Sequence, residues 1–456
     1  MKNLKSLKTT AKVVIEQGEE LLYEKYSPVV EKEKTENIVV GVDGGSTQTR
    51  VAFMRLPDEL ASLEEVYVIP SALSILTDGG ELKSKGELLY NNLESHIIDK
   101  ALNPHNIFDK VRVIRGTKLM DYGQTVSRIN SSFQKVDTPA FYINFIDAIG
   151  YGIIMDCAKR GVTVAGTYNV SVACSLPPDD AKSKKNSTLF LNYIKNLFLW
   201  IYEGQEIKIN IVNCKITTEP EAAGKCAFTL LEEEIPENAL VIDGGGRSIG
   251  SEVLVNGEIF DKTSVAYLYG GTQLNQLLAQ ECISTFGGSS PSEDSLKEAL
   301  KTGLLRKGRS SIDITELIKK CKDGLASTFY SDLVTRVFDS QRDVSLEDIE
   351  TIVFSGRLFN SGEYDYSLKE KFLQLFKERN PEVEVITLED SYLIPIGNAI
   401  IAYLEYGKVL DSNVGVVAEF PVEYEDEDEE EVSEDLVLET AVDQAESTVE
   451  EETPVM

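Results

Sequence analysis

The sequence predicts an α/β protein built from two similar halves that face one another, each presenting a β-hairpin whose glycine turn can grip phosphate. Three observations predict it. Residues 37–56 read NIVVGVDGGSTQTRVAFMRL: an apolar run ends in Asp43, the turn Gly44-Gly45-Ser46-Thr47 follows, and a second apolar run begins at once. Apolar run, small-residue turn and apolar run mark a hairpin. The pattern returns at 239–257, ALVIDGGGRSIGSEVLVNG, with Asp243 lying 200 positions after Asp43 and followed by Gly244, Gly245, Gly246, Arg247 and Ser248. An internal repeat outweighs any single motif. Finally, 456 residues that are 42% hydrophobic and 27% charged leave room for at least two globular cores.

The chemistry of such a turn is specific. Backbone N–H groups in a side-chain-poor turn converge on a concavity suited to an anion, and a carboxylate at the strand end suits a hydrated Mg²⁺ rather than the phosphate itself.

Taken in order, residues 1–36 read as a partly helical, charge-mixed extension running into EKEKTEN. Residues 66–70 read as a strand, Asp78-Gly79-Gly80 as a turn, 87–101 as a helix and 110–114 as a strand. The segment 140–159, AFYINFIDAIGYGIIMDCAK, is apolar at helical spacing and predicts a buried helix. A strand at 168–176 stops at Pro177-Pro178; 190–202 is an amphipathic run and 206–214 an alternating strand. Over 215–231 a helix starts regularly, with Thr217 or Thr218 as cap and Pro220 and Glu221 in its first turn. Glu219 stands at that start. An acid there ordinarily complements the helix dipole; between two phosphate hairpins it becomes a candidate to orient a water.

Beyond the second hairpin, 258–261 supplies a further strand, and Gly270-Gly271-Thr272 opens a helix over 273–282. Residues 285–345 read as an inserted, polar subdomain with helical stretches at 295–302 and 313–324. A strand at 350–355 leads into Gly356-Arg357, a short strand covers 384–387, and 392–404 is an apolar helix beginning near Pro395 and Gly397.

Charge and composition exclude several classes. The net charge is −31, and residues 409–456 hold eighteen Asp and Glu without Lys or Arg, leaving −13 on the preceding 408 residues. That argues against nucleic acid as a direct partner, and the tail reads as compositionally disordered. Six Cys without CxxC spacing read as reduced and buried. His96 and His105 lack ligand spacing, which disfavours His-based triads and zinc sites. No run of roughly 18 apolar residues predicts a membrane span; the N-terminus has no secretory h-region, so a cytoplasmic location is expected. GxxxxGK[ST], GxGxxG and HExxH are all missing.

Five segments now stand in one order: Asp43-Gly-Gly-Ser-Thr, Glu219-Pro-Glu-Ala-Ala-Gly, Asp243-Gly-Gly-Gly, Ile352-Val-Phe-Ser-Gly356 and Pro395-Ile-Gly-Asn-Ala. The set, spanning about residues 38–406, resembles the five-part nucleotide site of the actin, chaperone-ATPase and sugar-kinase superfamily. Within it, DGGST, the run AIGYGIIMDCAKRGV…YNVSVACSLPPDD and Ala223-Gly224 most resemble bacterial plasmid-segregation actins of the ParM (StbA) type. Ser355-Gly356-Arg357 departs from the family's usual Gly-Gly pair, and the arm and tail lie outside its core.

The resemblance implies actin-like, ribonuclease-H-like duplicated domains around a nucleotide cleft, each with a five-stranded sheet and inserted subdomains. Domain I would cover 37–235 and domain II 236–391, with the 392–408 helix returning to domain I. It implies that Asp43 and Asp243 hold Mg²⁺ through water, that Gly44, Gly45, Ser46 and Thr47 with Gly244, Gly245, Gly246 and Ser248 clasp phosphates, and that Glu219 positions the attacking water. Gly270, Gly271, Ser355, Gly356 and Arg357 would line the nucleoside of ATP or GTP. A filament of copies of the chain, coupled to DNA by an adaptor protein, is the implied function. A small-molecule kinase and a non-polymerising regulator on the same fold are the alternatives.

Overall fold

The computed structural model describes residues 35–45, 48–56, 66–76, 95–97, 111–115, 135–195, 197–202, 205–230, 235–307, 310–340, 344–359, 367–388 and 393–407. These fall within one compact unit, Met1–Val414; a second unit, Gly415–Met456, lies outside them. So do the expected N-terminal arm up to residue 34, Ser46, Thr47, the Asp78 turn, His105 and the acidic tail.

In the first half, strands β1 (Thr35–Gly44), β2 (Gln48–Arg55), β3 (Val66–Pro70), β4 (Leu73–Leu76), β5 (Ser95–Ile97) and β6 (Val111–Arg115) precede helix α1 (Pro139–Arg160). Then come β7 (Gly166–Leu176), the short α2 (Pro178–Lys182), α3 (Lys184–Ile194), β8 (Leu197–Tyr202), β9 (Gln205–Thr218) and α4 (Glu219–Leu230). The main sheet has the order β3-β2-β1-β7-β9-β8, antiparallel through the β1–β2–β3 meander and parallel through β1–β7–β9. Strand β1 is buried without interruption from Ile38 to Gly44, as a central strand covered on both faces must be.

The second half repeats this plan. It runs β10 (Asn238–Gly244), β11 (Ile249–Val255), β12 (Glu258–Ile259), β13 (Val265–Tyr267), α5 (Gly271–Phe286), α6 (Glu293–Thr302), the hairpin β14 (Leu304–Lys307) and β15 (Ser310–Asp313), and α7 (Thr315–Leu333). It closes with β16 (Thr351–Ser355), α8 (Leu368–Lys377), β17 (Glu384–Thr387) and α9 (Leu393–Ala402). The order β12-β11-β10-β16-β17 reproduces the antiparallel, antiparallel, parallel, parallel pattern of the first sheet. The hairpins match residue for residue: Asp43 pairs with Arg50 and Asp243 with Gly250, each seven positions on.

The elements stack in layers. One face of the first sheet buries against α1, whose Phe141, Phe145 and Ile149 join Val40, Val172 and Trp200. Its other face packs on α9 through Val39, Ala173, Ile396 and Ile400. Helix α4 lies beside α9 and covers the second sheet through Ala223, Val241 and Leu254, while α5, α7 and α8 cover that sheet's far face. Close approach of α9 is possible because glycines stand at the contacts. A Cβ on Gly41 would lie 2.0 Å from the Pro395 carbonyl oxygen, and one on Gly397 1.8 Å from that of Ala222.

Several expectations need correction. The two main sheets each have six strands rather than five: in the second β13 also pairs with β11, and in the first 190–202 is not one amphipathic element, since α3 ends at Ile194 and LFLWIY forms the edge strand β8. Its Phe198 and Trp200 alternate inward with Leu197 and Leu199 outward, the period of a strand and not of a helix. The only described part of the helix expected at 87–101 is Ser95–Ile97, a strand paired antiparallel with β6. The first strand begins at Thr35, two residues inside the expected extension. Helix Ala140–Arg160 is long and apolar enough to cross a membrane, yet 89% of its apolar window is buried inside the fold. All six cysteines are buried and free, as expected.

Candidate nucleotide and phosphate site

Asp43 and Asp243 are the penultimate residues of β1 and β10, each only 4% exposed. Each carboxylate stands in register with a serine on the neighbouring parallel strand, Ser175 for Asp43 and Ser355 for Asp243. The Arg50 guanidinium donates to Asp43 Oδ2 at 2.9 Å. Burial pushes the Asp43 carboxyl upward, and the neighbouring Arg50 charge offsets this only in part. Burial, reinforced by the Glu219 charge, raises Asp243 to about 7.

Glu219 opens α4, and its Oε1 accepts from the Lys135 ammonium at 2.8 Å. The backbone N–H of Lys135 donates to Asp180 Oδ2 at 3.1 Å, and Asn186 holds the other Asp180 oxygen at 2.9 Å. Burial works to lower the Lys135 ammonium, but the Glu219 and Asp43 carboxylates outweigh it and hold it above its ordinary value. The start of α4 is fixed by a reciprocal cap: Thr218 Oγ1 accepts from Glu221 N at 3.0 Å while Glu221 Oε2 accepts from Thr218 N at 3.3 Å. Of the two cap residues the sequence allowed, Thr218 is the one used.

The described parts of the two turns are closed by backbone contacts. Gly44 closes β1 opposite Thr49 and Gly244 closes β10 opposite Ile249. The Gly45 carbonyl accepts from Ser71 Oγ at 2.7 Å. Gly245 N donates across its turn to the Ser248 carbonyl at 2.8 Å, and Gly246 faces open space. Gly270 and Gly271 lie against this second turn: the N–H groups of Gly271 and Thr272 donate to the carbonyls of Gly245 and Gly246 at 3.3 and 2.8 Å. Gly356 has φ +82° and a Cβ there would sit 2.4 Å from the Gly244 oxygen, so both conformation and space demand glycine. Arg357 beside it is exposed.

Electrostatic coupling draws Asp43, Glu219, Asp243, Lys135 and Arg50 into one cluster of three carboxylates and two cations. Asp243 Oδ1 is buried without a hydrogen-bond partner. A buried, unpaired carboxylate oxygen beside other acids is costly unless a cation meets it. Among the described residues no three His, Cys, Asp or Glu side chains converge to ligate a metal directly. The buried, unpaired Asp243 oxygen beside Asp43 and Glu219 is an acceptor that a hydrated Mg²⁺ would suit.

Lys135, Arg50, Asp180 and Ser175 were not singled out from sequence. Arg50 was legible in principle, since hairpin register sets it opposite Asp43; Lys135 lies in no motif and reaches Glu219 only through the fold.

The sequence matches no family model and no curated protein. Solved structures do resemble the fold. The apo ParM protein of pSK41 aligns over 82% of this chain and 99% of its own, at a TM-score of 0.54 and 16% identity. An archaeal actin homologue, Ta0583, aligns over 81% and 99% at 0.54 and 13% identity. Bacillus thuringiensis ParM with ATP aligns over 81% and 99% at 0.51 and 13% identity. The chain has the actin-like fold. The duplicated sheets with α4 and α9 between them are thus the two halves of an actin-like body, with Asp43 and Asp243 near the ends of β1 and β10 and Glu219 at the start of α4.

Proposed function

We propose that this actin-like chain is a nucleoside triphosphatase that binds ATP or GTP with Mg²⁺ between domain I (37–235) and domain II (236–391) and assembles with itself into filaments. The observation that carries the reading is the pair of in-register hairpins ending at Asp43 and Asp243, with the Glu219–Lys135 pair between them. Phosphoryl transfer to water needs positioning and charge neutralisation rather than a covalent nucleophile, and this cluster offers both.

Asp43 and Asp243 would hold the hydrated cation in this reading, and Mg²⁺, when bound, would supply neutralising charge to the phosphate oxygens. The glycine turns that follow Asp43 and Asp243 are assigned to those phosphates in this reading. Glu219 orients the attacking water, and the hydrogen bond from the Lys135 ammonium keeps its carboxylate aimed. Gly270, Gly271, Ser355, Gly356 and Arg357 border the nucleoside.

Head-to-tail addition of identical subunits gives an open, helical polymer. An acidic chain is poorly suited to hold DNA, so plasmid movement in the cytoplasm would pass through a DNA-bound adaptor.

Light scattering with pelleting tests this, using wild type and Glu219→Ala with Mg-ATP, Mg-GTP or Mg-ADP. The expected result is a rise that decays in wild type and persists in the variant. Nucleotide turnover with no rise under any condition would replace the filament by a kinase or a non-polymerising regulator.

A further inference from the structure

Helix α9 reads LIPIGNAIIA, and its one hydrogen-bonding side chain, Asn398, is fully buried. Burying a carboxamide is unfavourable unless its donors and acceptor are satisfied. Here three bonds do so. Nδ2 donates to the Val42 carbonyl at 2.9 Å and to Ser175 Oγ at 3.1 Å, and Oδ1 accepts from Thr217 Oγ1 at 2.6 Å. A carbonyl oxygen only accepts, so the Val42 contact fixes which way the amide points, and Oδ1 is left for the Thr217 hydroxyl.

The partners are the ends of three strands. Val42 precedes Asp43 on β1, Ser175 is the register partner of Asp43 on β7, and Thr217 stands two residues before Glu219 at the end of β9. Strands β1 and β9 do not touch, because β7 lies between them. No direct ladder therefore sets the distance from Asp43 to Glu219. The Asn398 carboxamide spans all three strands at the point where they stop. Its own seat is rigid, since Gly41 and Gly397 let α9 rest directly on the backbone of β1 and α4.

We propose that Asn398 is a positioning residue that sets the separation of Asp43 and Glu219, acting through Thr217 on the water-orienting carboxylate and through Val42 and Ser175 on the cation-holding one. This rests on the hydrolysis reading above. The Thr217 arm then has a kinetic consequence that a merely packed asparagine would not have.

The test uses the full chain and steady-state hydrolysis of Mg-ATP and Mg-GTP. Thr217→Val keeps side-chain shape but loses the hydroxyl; Thr217→Ser keeps it. Misplacing a reacting group costs on the order of 10² in rate, so Thr217→Val should lower kcat about 10–100-fold with KM within about twofold, while Thr217→Ser returns near wild type. A Thr217→Val enzyme with wild-type kcat, or a Thr217→Ser enzyme as impaired as Thr217→Val, would overturn the proposal. Amide hydrogen exchange on the nucleotide-free chain supplies a readout independent of turnover. Thr217→Val should quicken exchange at residues 42–44 and 216–219 and leave β10 and β11 unchanged; unaltered protection at those strand ends would also overturn it. A wild-type chain that hydrolyses neither nucleotide would sink the hydrolysis reading instead, with exchange still reporting on the brace.

Discussion

Lys135 and Glu219 are each more than four-fifths buried and 2.8 Å apart, so each neutralises a charge the other could not leave bare. Removing one partner of a buried pair commonly costs about 3–5 kcal/mol. Lys135→Met should lose about that much unfolding free energy in urea titrations, and adding Glu219→Gln should recover part of it, because the orphaned charge is gone. Additive losses in the double variant would mean the pair is not coupled. Glu221 makes a separate residue-scale prediction. Burial, with help from Glu252, pushes its carboxyl up to about 7. The folded chain then keeps a proton that the unfolded chain has released, so this group costs stability as pH rises from its ordinary value near 4.5 to about 7 and holds that cost above. Glu221→Gln preserves the cap and should flatten melting temperature against pH in that window, by up to about 1.4 kcal/mol per pH unit at the steepest point. An identical pH profile in the variant would show that Glu221 is ordinarily ionised.

At the scale of elements, α9 is held by what its neighbours lack. Its carbonyl at Pro395 meets Gly41, and its own Gly397 meets the α4 backbone at Ala222. Backbone cannot rotate aside as a side chain can, so Gly397→Ala must shift a helix. Overpacking a well-filled core costs about 1–3 kcal/mol, and at least the upper end of that range is expected here in thermal or urea unfolding. A neutral Gly397→Ala would mean that α9 sits farther from α4. The hairpins, the helix at 139–160 and the cap at Thr218 were legible because their signals are local: period, turn residues, a hydroxyl three residues before an acid. The 190–202 segment was misread because apolar residues recur at both spacings across the α3–β8 junction; pairing with β9 decides where the helix stops.

For the whole molecule, two sheets of matching order packed about α4 and α9 give a body whose first half contributes Asp43 and Glu219 to the candidate site and whose second half contributes Asp243. Long-range charge belongs to this scale too. Residues 412–456 hold seventeen acids and no base, and unscreened like charge repels over roughly a Debye length of about 30 Å at 0.01 M salt. Deleting 412–456 should therefore increase bundling of filaments at low salt, seen as higher scattering and low-speed pelleting, with the difference fading by about 0.15 M salt, where that length is about 8 Å. Equal bundling of both chains at low salt would remove the tail from any such role.

The sequence by itself determined the duplication, the two Asp-ended hairpins, the carboxylate that opens α4 and the order of the five segments, because each is written in contiguous residues with its own periodicity and turn chemistry. Only the tertiary structure decided which cation stands beside Glu219, which serine faces Asp43 and what Asn398 is for. Those partners lie 84, 132 and 181 or more positions apart along the chain. A hydrogen bond over such a span leaves no local pattern; it exists only once burial has brought both groups out of water and made each one need the other.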